Sequence, residues 1–403
     1  MVDVLWVCHL HWNKHKGGEL DKLAIRRIRV AVLTAVAAIT YVGGAISLSP
    51  LLAQYLPVAS QDLAASVSQT QATAAPPPEI TENPEEALKK AEAQAQAEQK
   101  KRAAQRQVVS VRQNPFAGAR LFVDPNSPAR RQVNTWQSTR PGDAALISKI
   151  ANNSVGIWLG GWYGDVGSAT RQWLGQMQSQ GALPVFILYN IPIRDCGSYS
   201  AGGATSASAY QTWVRSIASA SSGKKAVFIL EPDALAGWDC LTSAQRQERS
   251  DVLRTAIDIL SADINHYVYL DAGNARWHSA DVMAGRIRQI GTQGLQGVSL
   301  NISNFLTTAE SQIYGNKISQ QTGGLHVVID TSRNGQGPAP DLAWCNPEGR
   351  GLGLPPSAQG GNPVDAYLWL KYPGESDGPC NGAPTSGEWW ADYALGLAQR
   401  AAF

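Results

Sequence analysis

From about residue 114 to the C-terminus at residue 403 the chain repeats one pattern: a short, almost wholly apolar, β-rich run, then an amphipathic stretch with helical periodicity. The apolar runs cover 155–159, 184–189, 226–230, 267–270, 297–300, 326–329 and 366–370. Helical patterns fill 170–180, 209–218, 244–260, 281–290 and 309–319. A strand that is apolar at successive positions is buried on both faces, which is the condition of a parallel sheet covered by helices. About seven such units in one domain predict a closed or nearly closed β/α barrel. A doubly wound open sheet is the alternative, but no Gly-rich phosphate turn follows the first strand. The Gly-rich stretch Gly349-Arg350-Gly351-Leu352-Gly353 follows no strand and reads as a plain loop.

The preceding residues have a different character. Residues 1–29 are polar and basic, with Lys14, Lys16, Lys22, Arg26, Arg27 and Arg29. Residues 30–52 are almost wholly apolar, long enough to span a bilayer, and basic residues before such a run hold the N-terminus in the cytoplasm. The run exceeds the usual signal-peptide core, and no clear Ala-x-Ala site follows, so it reads as an uncleaved signal anchor, with a cleaved signal peptide as the alternative. Residues 53–113 are rich in Ala, Gln, Pro, Glu and Lys and have almost no apolar stripe, as in a solvated helical stalk or a linker. Either form of export puts the main domain outside the cytosol, anchored at the cell surface, secreted or periplasmic, with the membrane as partner of the N-terminal segment.

The five cysteines fit this division. Cys8 stays inside as a free thiol, while Cys196, Cys240, Cys345 and Cys380 form an even set suited to two disulfides, with three possible pairings. No Cys-x-x-Cys occurs, and the helically spaced His11 and His15 beside Cys8 read as a chance cluster, so no metal and no cofactor is expected. A formal net charge of +2 gives no electrostatic case for nucleic acid. The 13 Trp against 6 Phe, with only 16% charged residues, suit a surface for flat polar ligands such as sugars, or a Trp-rich core.

In parallel β/α folds the chemistry sits at the carboxyl ends of the strands. Here the second apolar run leads into Asn190 and Asp195, the third into Glu231-Pro232-Asp233, and the fourth into Asp271-Ala272-Gly273-Asn274 and Arg276-Trp277-His278. The fifth leads into Asn301 and Asn304, the sixth into Asp330 and Arg333, and the last into Lys371, Glu375 and Asp377. Asp, Asn and Ser at such places often cap the next helix. Six strand ends carrying carboxylates, amides, cations and aromatics together point instead to a functional rim. Many carboxylates without a metal motif suit hydrolysis of a glycosidic bond, which needs one protonated acid and one carboxylate.

The ordered segments Tyr189-Asn190-x-Pro192-x-Arg194-Asp195-Cys196, Glu231-Pro232-Asp233, Tyr269-Leu270-Asp271-Ala272-Gly273, Asn301-Ile302-Ser303-Asn304-Phe305, Asp330-Thr331-Ser332-Arg333-Asn334-Gly335, Trp344-Cys345 and Lys371-x-Pro373-Gly374-Glu375-x-Asp377-Gly378 resemble the signatures of glycoside hydrolase family six, the inverting cellulases. The resemblance covers residues 114–403 and implies a distorted, partial β/α barrel of about seven parallel strands crossed by an active-site cleft. It implies Asp233 as general acid, Asp195 as the group that raises its pKa and organises water, and Asp377 as candidate base, with pairing to Lys371 or Arg333 as the plainer role for Asp377. It implies Trp158, Trp277 and Trp344 as sugar platforms, and Tyr189 beneath the sugar to be cleaved. Asp271, Lys371 and Glu375 would bind or tune in the same cleft, with His278 and Asn301 as further contacts. Asn274 stands where the family commonly has His, which implies adjusted binding. The family pairing is Cys196–Cys240 and Cys345–Cys380. The segments between Asp233 and Asp271 and after Asp377 are short and lack the insertions that roof a tunnel in the family's cellobiohydrolases, so the expectation is an endo-β-1,4-glucanase cutting cellulose-like polysaccharide or cello-oligosaccharide. A cellobiohydrolase, a hydrolase of another β-glucan or exopolysaccharide, and a non-catalytic glucan-binding surface protein are the alternatives.

Overall fold

The computed structural model describes residues 113–403, Gln359 excepted. The basic N-terminus, the apolar run at 30–52, Cys8 and all but the last residue of the 53–113 linker lie outside the described residues. Among the described residues, no helix is long and apolar enough to cross a membrane.

Seven strands form one parallel sheet: β2 (Ile157–Gly160), β4 (Val185–Tyr189), β5 (Ala226–Leu230), β6 (His266–Asp271), β7 (Leu295–Leu300), β8 (His326–Asp330) and β9 (Val364–Leu368), hydrogen-bonded in that order. The short β1 (Arg120–Leu121) and β3 (Ala182–Leu183) pair separately. Helices α1 (Pro128–Trp136), α2 (Pro141–Ala151), α3 (Val166–Ser179), α4 (Ala207–Ala220), α5 (Ser243–Ser261), α6 (Ala280–Ile290), α7 (Thr308–Gln321) and α8 (Ala391–Gln399) complete the described fold. All five helical patterns and all seven strands read from the sequence are present, with ends displaced by a few residues.

The apolar runs are explained by two covered faces. Phe186, Leu188, Phe228 and Leu230 join an outer cluster with Val214 of α4 and Leu253 and Ile257 of α5. The alternate residues Ile187, Val227, Ile229 and Val328 form an inner cluster closed at its base by Phe116. Successive side chains on a strand point to opposite faces, so a run buried on both must be apolar throughout. Gly297 in β7 is required by packing, since a Cβ there would stand 2.2 Å from the His326 carbonyl.

The two edge strands meet without a ladder. The Gly156 N–H, just before β2, donates to the Trp369 carbonyl, just after β9, at 2.9 Å. The Trp158 indole N–H donates to the Leu370 carbonyl at 2.8 Å. The sheet is therefore curled into an incomplete barrel whose edge strands touch without pairing.

Two features depart from the strand–helix repeat. Helices α1 and α2 precede β2, and α1 buries only Ala129 and Val133, too sparse a stripe to register as a period. Its Pro128 at the first turn and Ser127 cap are the local signals that mark its start. The connection from β8 to β9 contains no helix, and this long irregular segment supplies part of the rim.

Candidate active site

The rim is built around one strained strand end. Glu231 and Asp233, directly after β5, have φ of 49° and 69°, in the left-handed region that side chains rarely adopt. The turn is held by its neighbours. The Asp233 N–H donates to Asp271 Oδ1 at 3.0 Å, and Asp271 also accepts from the Gly273 N–H at 3.1 Å. Glu231, fully buried, accepts from the Asn190 N–H at 3.0 Å and the Ile191 N–H at 3.0 Å, tying the end of β5 to the end of β4. The buried Arg249 of α5 donates to the Ala234 carbonyl at 2.9 Å and the Pro192 carbonyl at 2.8 Å, fastening the same two loops from behind.

Asp233 is left in an environment that disfavours charge. Burial first, then the carboxylates of Asp271, Asp195 and Asp377, push its carboxyl well above the usual carboxylate range. Asp271, one strand further on, is also raised by burial, against the hydrogen bonds that it accepts. Asp195 is raised by burial too, opposed by the Ser200 N–H, which donates to it at 2.7 Å, and by Arg194. Among the neighbouring carboxylates, Asp271 raises Asp233 more than Asp195 does, the reverse of the emphasis that the motifs imply.

Asp377 has the opposite surroundings. Arg333 donates to it at 2.8 Å, the Asn346 N–H at 3.0 Å, and Lys371 Nζ stands 3.5 Å away. Burial works against its ionisation, but Arg333 and then Lys371 outweigh it and hold the carboxyl below its ordinary range. The choice between Lys371 and Arg333 as its partner is thus resolved as both. Glu375, close to the same cations, is pushed up to about 7 by burial. Asp330 organises the floor of this side, accepting from the Ser332 N–H at 2.9 Å and the Lys371 N–H at 2.9 Å.

The aromatic residues divide by exposure. Trp277 and Trp344 are 42% and 49% exposed on rim loops. Trp158 is half-buried, with its ring edge-to-face on Tyr189 at 5.2 Å. Two expected cleft residues are consumed by the protein. Asn301 is 0% exposed; its amide donates to the carbonyls of Leu306 and Asp330, and its oxygen accepts from the Leu306 N–H. It shapes a loop and offers nothing to a ligand. Asn274 is buried, and its oxygen accepts from the Arg276 and Trp277 N–H groups, so it forms the turn that presents Trp277. His278 Nε2 lies 2.8 Å from the Ala236 carbonyl, a contact that steadies the loop after Asp233.

Both disulfides form with the pairing implied by the motifs, Cys196–Cys240 and Cys345–Cys380. The first links the Asp195 loop to the 3-10 turn Ala236–Cys240 that follows Asp233, and the second links the Trp344 loop to the Asp377 loop. The Asp195 loop also reaches across the cleft. The Tyr199 ring lies on Gly378, where a Cβ would stand 2.5 Å from it, and packs on Trp344 with centroids 6.0 Å apart. The Ser200 and Ser386 hydroxyls hydrogen-bond at 2.9 Å. Glu231, Arg249, Arg333 and Tyr199 were not singled out as site residues from sequence; Glu231 and Arg333 lay inside the quoted motifs, and Arg249 carried no signal.

The family model described as glycosyl hydrolases family 6 matches residues 116–401. The chain is 43% identical over 286 residues to Endoglucanase A of Cellulomonas fimi, a match that covers 70% of this chain and 61% of the relative, so the chain spans less than two thirds of that protein's length. It is 40% identical over 286 residues to Endoglucanase 1 of Streptomyces halstedii, covering 68% of this chain and 87% of the relative. Among solved structures, the endoglucanase Cel6 from Mycobacterium tuberculosis, in complex with methyl-cellobiosyl-4-deoxy-4-thio-β-D-cellobioside, matches with a TM-score of 0.68 at 46% identity, over 72% of this chain and 99% of that one. Seven parallel strands in an incomplete barrel, carboxylates of opposed environment at its rim and a family match over nearly the whole described region lead to one assignment: the chain belongs to glycosyl hydrolases family 6.

Proposed function

We propose that this chain hydrolyses internal β-1,4-glucosidic bonds of cellulose-like glucans with inversion of configuration, using Asp233 as general acid. What supports this is the contrast in surroundings: burial and three carboxylates disfavour the charged form of Asp233, whereas Arg333 and Lys371, at 2.8 and 3.5 Å, favour the charged form of Asp377. Two titratable groups whose surroundings push them apart are what acid–base division of labour requires. Asp233 gives its proton to the glycosidic oxygen as the C1–O bond breaks. Water attacks C1 from the opposite face, and its proton passes to Asp377 directly or along a water chain, which leaves an inverted anomer. Asp271 and Asp195 sustain the acid, Tyr189 lies under the reacting sugar, and Trp158, Trp277 and Trp344 stack on neighbouring units.

Endo cleavage is supported by the exposure of Trp277 and Trp344 and by the endoglucanase names of the bacterial relatives. The bridge over the cleft, Tyr199 on Gly378 with the Ser200–Ser386 pair, is non-covalent and compatible with entry of an unbroken chain. Two disulfides suit an exported domain. In this proposal residues 30–52 carry the domain across or hold it at the outer face of the membrane, with 53–113 as spacer.

Carboxymethylcellulose hydrolysis by the wild type and by Asp233→Ala decides the acid: equal rates would remove the assignment. Proton NMR of the first-formed product reads the stereochemistry. An initial α-anomer is expected, and an initial β-anomer would sink the inverting mechanism.

A further inference from the structure

We infer that Trp162 is an additional glucan-stacking platform, lying outward of Tyr189 and Trp158 on the β2 side of the cleft and engaged by glucan chains long enough to reach it. The inference rests on the glucanase proposal. Trp162 follows the end of β2 by two residues and is 56% exposed, the largest exposure of any aromatic side chain described. A lone exposed Trp means little by itself. This one is seated and braced. Its six-membered ring lies over Gly160, where a Cβ would stand 2.1 Å from ring carbon Cζ3, so only glycine leaves room for the indole in this position.

The bracing ties it to the reaction centre. The Arg194 guanidinium lies 5.8 Å from the Trp162 ring centroid and 4.6 Å from the Tyr189 ring centroid, so one cation flanks both rings. Arg194 is itself held by three carbonyls, those of Ser200 at 2.7 Å, Tyr189 at 2.8 Å and Ala201 at 3.0 Å. Trp162 also meets the Tyr163 ring, tilted, at 6.2 Å between centroids. Seat and braces fix the indole before any ligand arrives, which removes part of the ordering cost of binding. A β-glucosyl unit has apolar C–H faces and equatorial hydroxyls, so it can lay one face on the open side of the indole while its hydroxyls stay in water.

The test compares cellotetraose with cellohexaose for the wild type, Trp162→Ala and Trp162→Phe. For Trp162→Ala, kcat/KM is expected to fall about tenfold on cellohexaose and less than about twofold on cellotetraose, the scale of one stacking contact. Trp162→Phe should recover most of the loss, and the pH profile should not move. Equal losses on both lengths mean a structural role and overturn the platform, as does an undiminished rate on cellohexaose. Calorimetric binding of cellohexaose to Asp233→Asn, with and without Trp162→Ala, separates this inference from the one beneath it. A wild-type chain that cleaves no cello-oligosaccharide overturns the glucanase proposal, whereas an unchanged Kd on loss of Trp162 overturns the platform.

Discussion

The two ends of the barrel handle carboxylates in opposite ways. At the carboxyl end, Asp233, Asp271 and Asp195 crowd together, all with pKa values raised by burial, on a backbone with left-handed residues at Asp195, Glu231 and Asp233. At the amino end, Asp365 near the start of β9 is buried and fully engaged. It accepts from the Tyr269 hydroxyl at 2.5 Å, from His326 Nδ1 of β8 at 2.8 Å and from the Gln296 amide at 3.5 Å. Strand β6 serves both ends, since Tyr269 reaches down to Asp365 while Asp271, two residues later, holds the Asp233 turn. One end stores unfavourable charge and strain where the proposed chemistry takes place, and the other repays it with satisfied hydrogen bonds.

The largest expected effect breaks the proposed catalytic end. Asp233→Asn should lower kcat on soluble glucan by roughly a thousandfold or more, since it removes the transferable proton. The same change should leave Tm unchanged or raise it, because a buried Asn needs no proton to stay neutral and the change breaks no ion pair. A marked fall in Tm, read by calorimetry, would contradict the division between the ends. At the amino end the outcome should invert: Asp365→Ala should cost about 3 kcal/mol of stability by leaving buried donors unpaired. The folded fraction should keep its kcat, and denaturant unfolding with active-site titration measures both.

A smaller effect sharpens the comparison within the rim. Asp195→Asn removes a negative charge that helps to hold the Asp233 proton. Ionisation of Asp233 then becomes easier, so the alkaline limb of the kcat/KM profile should move to lower pH. Asp271→Asn should move it further, as Asp271 acts on Asp233 more strongly than Asp195 does. The reverse order in the measured profiles would overturn this ranking.

The barrel was legible because strands buried on both faces must be apolar at every position, and the rim was legible because its acids follow those strands directly. What was not legible lies just past the strand ends. Period-two alternation from Ile229 sends Glu231 into the barrel. At φ of 49° the rule no longer holds, and Glu231 turns to the Asn190 and Ile191 N–H groups beside Tyr210 of α4. Asn301, also left-handed at φ 67°, is likewise drawn into its own loop rather than the cleft. Arg249 lies sixteen positions past Asp233 on one side of a helix, and only the fold brings it behind that residue. Sequence shows which residues reach the rim; the direction of each side chain there is set by turns with no periodicity.

The smallest effect probes His326 at the quiet end. Its hydrogen bond to Asp365 raises its pKa above the ordinary value, with burial opposing. A group whose pKa is higher folded than unfolded contributes its stability fully below the unfolded value, about 6.5 for His, and loses it as pH rises through the folded value. The pair is partly exposed, so screening reduces its worth to about 0.5 kcal/mol. The Tm deficit of His326→Gln relative to the wild type should therefore be largest near pH 5.5 and shrink by pH 9. A deficit independent of pH would mean that His326 acts by packing and neutral hydrogen bonding alone. In that case the amino end is stabilised without charge, and the contrast with the carboxylate-crowded rim becomes sharper still.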